Sequence, residues 1–363
     1  IVNAISYLVN VKYGAQFNLG QLKTKAAWYT PPSDRERIAH DLQRLAQSGF
    51  NLLFVSAFSE GRALYPSQAA ERNPVYEGFD PLQACIEEGQ LQGLPVHAWV
   101  EAFDVGRAAE DGSLPRLLQV HPGWSAMRRD DRRPTAAPNG RYFLSPAHPE
   151  VQKFVTDTVH ELVTGYDLDG IHLGSICYPA GKAAPYDYNP TVLGLAQADL
   201  GFAPRSIGLN MARWNAWLDW RCSNLSTFAG RLMSMIRDTS PGTLISASVY
   251  PYPDSVLVRM QDWSKWAAAR WLDFVVPLTN TPDADLVDTL VRAAQGFAGT
   301  RTPVVAGIDA ASIQGARSSA PALAGLVDAA RAAGAHGVSI DALAISDEVR
   351  SALLDGPFRT PTE

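Results

Sequence analysis

Residues 166–179 read YDLDGIHLGSICYP, and this stretch ends a helix, turns tightly and enters a short apolar strand. The strand is GIHLG at 170–174, and a loop begins at Ser175. Short apolar runs of this kind recur along the chain between longer amphipathic segments, a pattern typical of strand–helix units around a parallel sheet. The fold class therefore depends on how many such strands the chain contains.

The same pattern predicts eight strands, at residues 25–30, 51–58, 95–102, 170–174, 244–250, 273–278, 303–309 and 337–341. Helical patterns lie between them, for example at 34–49, 149–165 and 214–238. The first helix is predicted to have Ser33 as its N-cap and to end at Gly49, and the second to run from Pro149 to Gly165. Eight strands with helical crossovers predict an α/β fold of the (β/α)8 TIM-barrel type.

The composition is that of a globular protein with a large core. The 363 residues are 46% hydrophobic and 19% charged, and we expect residues 25–363 to form the barrel and residues 1–24 to be an N-terminal extension or tether. A net charge of -6 argues against a nucleic-acid partner, and no apolar run is long enough to span a membrane. Three scattered cysteines indicate neither a disulfide framework nor a metal site, and no cofactor is predicted.

Strand periodicity predicts which side chains face the barrel axis. In PVHAWVEA, at 95–102, it turns His97, Trp99 and Glu101 inward. The same rule predicts an inward direction for these residues of later strands: His172, Ser246, Ser248, Tyr250, Asp309 and Asp341. Because active sites of TIM barrels lie at the C-terminal ends of the strands, the carboxylates among them are candidate catalytic groups.

Several motifs resemble those of a known family. They are DLQRLAQSGF at 41–50, ALYPS at 63–67, HAW at 97–99, YDLDGIH at 166–172 and GPFR at 356–359. Through them the chain resembles the glycosyl hydrolase-like 10 family from Lys25 to Arg359. The resemblance implies a TIM barrel of the bacterial cell envelope, exported from the cytoplasm, that engages peptidoglycan or a related polysaccharide and has envelope proteins as further partners.

The fourth strand departs from the family pattern. Family members resemble FDDYFYP at this point, whereas this chain has LGSICYP at 173–179. The two aspartates of the family are thus replaced by Gly174 and Ser175. Because those acids are the family's catalytic groups, the resemblance implies weak or lost hydrolytic activity.

Glycoside hydrolysis uses two carboxyl groups, one of which must hold a proton near neutral pH. Glu101 is the candidate acid, since Trp99 and Phe103 flank it and desolvation would raise its pKa. Asp309 or Asp341 is the candidate second carboxylate, and Glu60 is a weaker candidate. An active glycosidase that uses Glu101 with Asp309 or Asp341 therefore remains an alternative.

Aromatic and histidine side chains near the predicted rim are candidates for contact with a sugar, because the C–H face of a sugar ring packs on aromatic rings. The candidate substrate-binding residues are Tyr65, His97, Trp99, Trp124, His172, Tyr178 and Tyr250. The two histidines are more typical of a hydrogen-bonded core than of a metal site. The charged run RRDDRRP at 128–134 is a solvated loop whose arginines could meet an acidic glycan.

The sequence thus predicts a glycoside-hydrolase-like barrel that engages a glycan with weak or lost turnover. A non-catalytic scaffolding component of an envelope complex, tethered by residues 1–24, is an alternative of a different class. Exposed apolar surface on the ring of helices would favour that alternative.

Overall fold

Eight parallel strands form the centre of the molecule. The computed structural model describes residues 23–131, 133–181, 186–308, 320–342 and 345–359. The barrel strands are β1 Thr24–Tyr29, β2 Leu52–Ser59, β3 Val96–Glu101, β4 Gly170–Gly174, β5 Leu244–Val249, β6 Phe274–Pro277, β7 Val305–Ile308 and β8 Gly337–Asp341. Each lies within about two residues of its predicted position, so the predicted strand count and boundaries are confirmed.

Each strand pairs in parallel with the next one along the chain, and β8 pairs with β1. Between β6 and β7 the contact is made by isolated bridges, Val275 to Val304 and Leu278 to Gly307. The backbone N–H of Thr279 also donates to the carbonyl of Gly307 at 2.8 Å. These links complete the ring, and the fold is the predicted (β/α)8 barrel.

Helices follow the strands and cover the outside of the barrel. They are α1 Arg35–Gln47, α2 Pro81–Gln92, α3 Pro149–Gly165, α4 Met211–Thr239, α5 Trp263–Ala268, α6 Ala284–Ala298, α7 Ala320–Ala332 and α8 Asp347–Asp355. Three further helices lie in the loops, at Arg116–Val120, Pro190–Leu200 and Asp254–Leu257. The loops after β3 and β4 are long, and both extend over the C-terminal end of the barrel.

The helix ends follow local capping chemistry. Asp34, not the predicted Ser33, is the N-cap of α1, because its carboxylate accepts from the N–H groups of Glu36 and Arg37. Gly49 follows the helix with φ +83°, a conformation that favours glycine. α3 runs from Pro149 to Gly165, as predicted.

The strand periodicity holds in the barrel interior. Trp28, Phe54 and Phe274 pack together along the axis, and Trp99 packs against them. Side chains of the alternate positions, such as Ile171 and Ile245, lie in the separate core between strands and helices. The predicted inward and outward faces are therefore confirmed for β3, β4 and β5, whereas Asp309 lies outside the described residues.

The N-terminal extension falls almost wholly outside the described residues, since the description starts at residue 23 and β1 starts at Thr24. In the part of the chain that is described, every helix is too short or too polar to cross a membrane.

Candidate active-site cleft

Glu101 ends β3 next to Gly174, its partner at the end of β4. A Cβ placed on Gly174 would lie under 3.0 Å from both Trp99 Nε1 and Glu101 Oε1. Glycine is therefore required here for the Trp99 and Glu101 side chains to lie over β4. The space beside residue 174 contains a carboxyl group that belongs to a different strand.

Burial raises the pKa of Glu101 to about 7, with a smaller contribution in the same direction from the negative charge of Asp104. Hydrogen bonding from Ser175, the positive charge of Arg141 and the Trp99 ring N–H act in the opposite direction. Glu101 is therefore present in both protonated and ionised forms near neutral pH. A general acid needs this property.

Ser175 follows β4 with φ +45°, in the left-handed region that residues other than glycine rarely adopt. Its side chain interacts with Glu101 and also lines the adjacent cleft. Backbone strain of this kind persists where the surrounding structure holds it, often at functional sites.

The cleft beside Glu101 has a volume of about 520 Å³ and lies at the C-terminal ends of β3, β4 and β5. Three loop segments form its walls, within residues 137–143, 175–181 and 250–259. Its polar lining consists of Asp104, Asn139, Arg141, Ser175, Tyr250, Asp254 and Arg259. A cleft of this size at this end of a TIM barrel is the expected place for a ligand.

Arg141 holds Asp104 at the edge of the cleft. The two residues belong to a short antiparallel hairpin within the loop after β3, formed by Asp104–Arg107 and Arg141–Phe143. Arg141 Nε donates to Asp104 Oδ2 at 2.5 Å, and the N–H of Gly106 donates to Asp104 Oδ1 at 2.9 Å. Glu60 Oε1 lies 3.7 Å from Arg141 Nη2. Both oxygens of Asp104 therefore have a donor.

Arg259 covers Tyr250 on the opposite wall. Its guanidinium lies 3.4 Å from the centre of the Tyr250 ring, and its Nε donates to Asp254 Oδ2 at 2.9 Å. One face of the Tyr250 ring, which was predicted to contact a sugar, is thus covered by a cation. A ligand in the cleft meets the guanidinium together with the ring.

Tyr65 and Tyr178 do not lie on the cleft surface. Both side chains are fully buried. Tyr65 donates its hydroxyl to Glu161 at 2.9 Å, and Tyr178 donates to Asp187 at 2.7 Å. The expectation that these rings offer a face to a sugar is therefore wrong for this structure, because packing and buried hydrogen bonds use both side chains.

His97 and His172 lie buried in the barrel interior rather than at the rim. Ser246 and Ser248 lie 2.9 Å from the two ring nitrogens of His172, and the Phe54 ring stacks on its imidazole. Burial lowers the pKa of His172 well below its usual value, so the ring is neutral. Among the described residues, no group of three or more His, Cys, Asp or Glu comes together as a metal site.

Trp99 is the predicted sugar-contact residue that lies nearest to Glu101. Its ring is half-buried at the top of the interior cluster, and its N–H acts on the Glu101 carboxyl. Trp124 lies instead within the loop after β3, where its ring stacks on His121 and its Nε1 donates to Glu150 of the first turn of α3 at 2.8 Å. Contact of either ring with a glycan stays a prediction.

The predicted partners of Glu101 are not brought to it by the described structure. Asp341 ends β8, which β1 and β2 separate from β3 around the barrel. It is not part of the cleft lining. Asp309 lies outside the described residues. The pairing of Glu101 with either residue stays a prediction.

The charged run at 128–134 joins the two long loops. Arg129 Nη2 donates to the carbonyl of Arg205 at 2.6 Å, and Arg205 donates in return to the carbonyl of Arg129. Arg128 pairs with Asp131 within the run. Arg129, Asp130 and Arg133 are exposed to solvent, as predicted, while Arg128 and Arg129 also bind groups of the protein itself.

Sequence reasoning missed the four charged residues of the cleft: Asp104, Arg141, Asp254 and Arg259. Asp104 could have been found, since it follows Glu101 by three residues at the end of a predicted strand. Arg141 could not, because only the hairpin brings it back to Asp104 from a distance of 37 residues in sequence.

Comparison with protein families gives a match over most of the chain. The profile of the family described as Glycosyl hydrolase-like 10 matches residues 20–321. Glycosyl hydrolase DigH of Escherichia coli (strain K12) is 25% identical over 232 residues, which is 60% of this chain and 49% of that protein. Glycosyl hydrolase YngK of Bacillus subtilis (strain 168) is 28% identical over 159 residues, 41% of this chain and 29% of that protein. The chain thus spans about half the length of DigH and a smaller share of the length of YngK.

Solved structures support the fold. The glycoside hydrolase domain of PgaB (BpsB) from Bordetella bronchiseptica superposes with a TM-score of 0.66 at 16% identity, over 92% of this chain and 98% of that one. Alpha-L-fucosidase isoenzyme 2 from Paenibacillus thiaminolyticus superposes with a TM-score of 0.64 at 18% identity, over 92% and 48%. At such identities the similarity shows a common barrel fold and nothing finer.

Proposed function

Because the chain belongs to the glycosyl hydrolase-like 10 family, we propose that it binds a bacterial cell-envelope glycan in the cleft beside Glu101 and hydrolyses that glycan weakly. The glycan is peptidoglycan or a related polysaccharide. One observation carries the proposal: Glu101, whose pKa is about 7, interacts with Ser175, Asp104 and Arg141, and these three residues line a cleft of about 520 Å³.

The weak hydrolysis follows from the state of the other carboxylates. Glu101 has the properties of a proton donor for the glycosidic oxygen, but cleavage also needs a second carboxylate that assists water or attacks the sugar. Asp104 and Asp254 line the cleft, and each is bound to an arginine. Each of these carboxylates must share its oxygens between an arginine and an attacking water, so turnover is expected to be slow.

The cell-envelope location and export of the protein rest on the family resemblance alone, and both belong to this proposal. Fractionation of cells that express the full-length gene would test them. Recovery of the protein in the cytoplasm would contradict the location without bearing on the cleft.

The second candidate function is a scaffold for envelope proteins. Leu209 and Met211, which precede and begin α4, are exposed together with Leu195 of the neighbouring loop helix. An apolar surface of this kind can serve protein contacts. A scaffold requires no affinity for glycan, so a binding measurement separates the two functions.

The test is calorimetric titration of the protein with soluble peptidoglycan oligosaccharides, together with an assay for new reducing ends. We expect the parent protein to bind and to release reducing ends slowly. Glu101→Gln should bind within about threefold of the parent and lose the release, since the amide keeps the shape but cannot donate the proton. Glu77→Gln, at an exposed position outside the cleft lining, is the matched control and should behave like the parent. Absence of binding by the parent would contradict the proposal and favour the scaffold.

A further inference from the structure

We propose that Asp104 is the second carboxylate of the reaction and that it acts as the base that complements Glu101. This inference rests on the proposed glycan hydrolysis. Asp104 lines the cleft with only 6% of its surface exposed, and its charge acts on Glu101. Asp104 thus faces the ligand space directly, and Glu101 lies behind residues that line it.

The other described carboxylates near the cleft fit this role less well. Asp254 is on the opposite wall, paired with Arg259, and its side chain is 47% exposed. Glu60 is 63% exposed and is not part of the lining. Asp341 is at the end of β8, with two strands between it and β3. Geometry therefore favours Asp104.

Arg141 is the positioning residue for this carboxylate. Its Nε donates to Oδ2 of Asp104, and the N–H of Gly106 donates to Oδ1. Each carboxylate oxygen has two lone pairs, so each keeps one for a water molecule. The two donors fix the direction of the carboxylate and occupy lone pairs that water would otherwise use, which accounts for slow rather than absent turnover.

The step balances without any further reagent. Glu101 donates its proton to the glycosidic oxygen as the bond from that oxygen to the anomeric carbon breaks. A water oxygen bonds to the anomeric carbon, and Asp104 accepts the proton that this water loses. The products are a hemiacetal and an alcohol. The proton then returns from Asp104 to Glu101 through solvent.

Leaving-group dependence distinguishes the acid from the base. In a dinitrophenyl glycoside of the bound sugar, the dinitrophenolate group leaves without being protonated. Cleavage of an unactivated oligosaccharide needs a proton from the acid. Glu101→Gln should therefore lose about 100-fold or more on the oligosaccharide and less than about tenfold on the dinitrophenyl glycoside. Asp104→Asn should lose about 100-fold or more on both.

Two further variants complete the set. Arg141→Lys keeps the positive charge but alters the geometry of the donor, so kcat should fall and KM change little. Asp111→Asn, an exposed aspartate in the same loop, is the matched control and should retain parental rates. Circular dichroism and glycan affinity of each variant confirm that folding and binding are intact.

Three results would overturn the assignment. The first is an Asp104→Asn variant with parental rates on both substrates. The second is a loss caused by Glu60→Gln instead of Asp104→Asn. The third is a parent protein that binds glycan but cleaves neither substrate, which would remove this inference and leave glycan binding in place. A parent that binds no glycan would instead remove the proposed function itself.

Discussion

His172 in the barrel interior and Glu101 at the rim are both titratable side chains removed from water, yet their surroundings differ. The ring of His172 lies between Phe54 and two serines, and all of these residues are buried. Glu101 lies beside an open cleft and interacts with Asp104 and Arg141, which line it. Burial drives both groups towards the neutral form, lowering the pKa of His172 and raising that of Glu101.

The comparison shows that a perturbed pKa does not by itself mark a functional residue. His172 is neutral because the core accommodates a neutral imidazole with hydroxyl partners, and nothing can reach it from solvent. Glu101 titrates near neutrality next to a space that a ligand can enter. Its interaction with residues that line the cleft, together with the titration, is what makes Glu101 the candidate acid.

The largest expected effect on stability comes from the interior. His172→Ala would leave a cavity beside Phe54 and remove the partner of two buried hydroxyls, at a cost of about 4 kcal/mol of unfolding free energy. Glu101→Gln should instead raise the stability at pH 7, by up to about 3 kcal/mol, since it removes a carboxyl group that burial disfavours in its charged form. Chemical denaturation measures the unfolding free energy of both variants. An equal loss of unfolding free energy in the two would contradict the difference between interior and rim.

The second prediction concerns pH, and the two residues should act with opposite signs. The pKa of Glu101 is raised from 4.5 to about 7 in the folded protein, so its contribution to stability is present below pH 4.5 and is lost as pH rises through 7. This change is at most about 3 kcal/mol. The depressed pKa of His172 instead reduces stability as pH falls below 6.5.

Glu101→Gln isolates the pH dependence that Glu101 contributes. The difference in unfolding free energy between parent and variant should change between about pH 4.5 and 7 and be constant above that range. Denaturant titrations at several pH values measure it. A difference independent of pH would mean that Glu101 is not desolvated in the folded state.

The smallest effect concerns backbone strain at the rim. Ser175→Gly should raise stability by about 1 kcal/mol, because glycine adopts φ +45° without strain, and should also lower turnover because the contact with Glu101 is lost. Arg270→Gly, at an exposed turn with φ +58°, is the matched control. It should gain similar stability with no effect on turnover. Reduced stability of Ser175→Gly in thermal melts would argue against stored strain.

Much of the barrel could be predicted from local patterns. The alternation in PVHAWVEA placed His97 and Trp99 on the inner face, and the structure confirms both positions. The N-cap of α1 was displaced by one residue, because Ser33 and Asp34 are both suitable caps and the sequence does not decide between them. Such local rules carry no information about which loop covers which side chain.

The aromatic residues illustrate that limit. Tyr178 and Tyr250 both follow barrel strands and both were predicted to contact a sugar. The structure buries Tyr178 against Asp187 and leaves Tyr250 at the cleft, covered on one face by Arg259. The difference arises from contacts with residues 9 positions away in each case, made by loops whose courses the sequence pattern does not fix.

The sequence by itself determined the eight strands, their inner faces and the replacement of the family acids by Gly174 and Ser175, since these depend on periodicity and residue identity. Tertiary structure alone decided that Glu101 fills the space above Gly174 and that Arg141 returns to hold Asp104. The physical reason is that a parallel barrel aligns the ends of different strands at one rim. Which side chains meet there is fixed by packing and charge pairing between segments far apart in the chain.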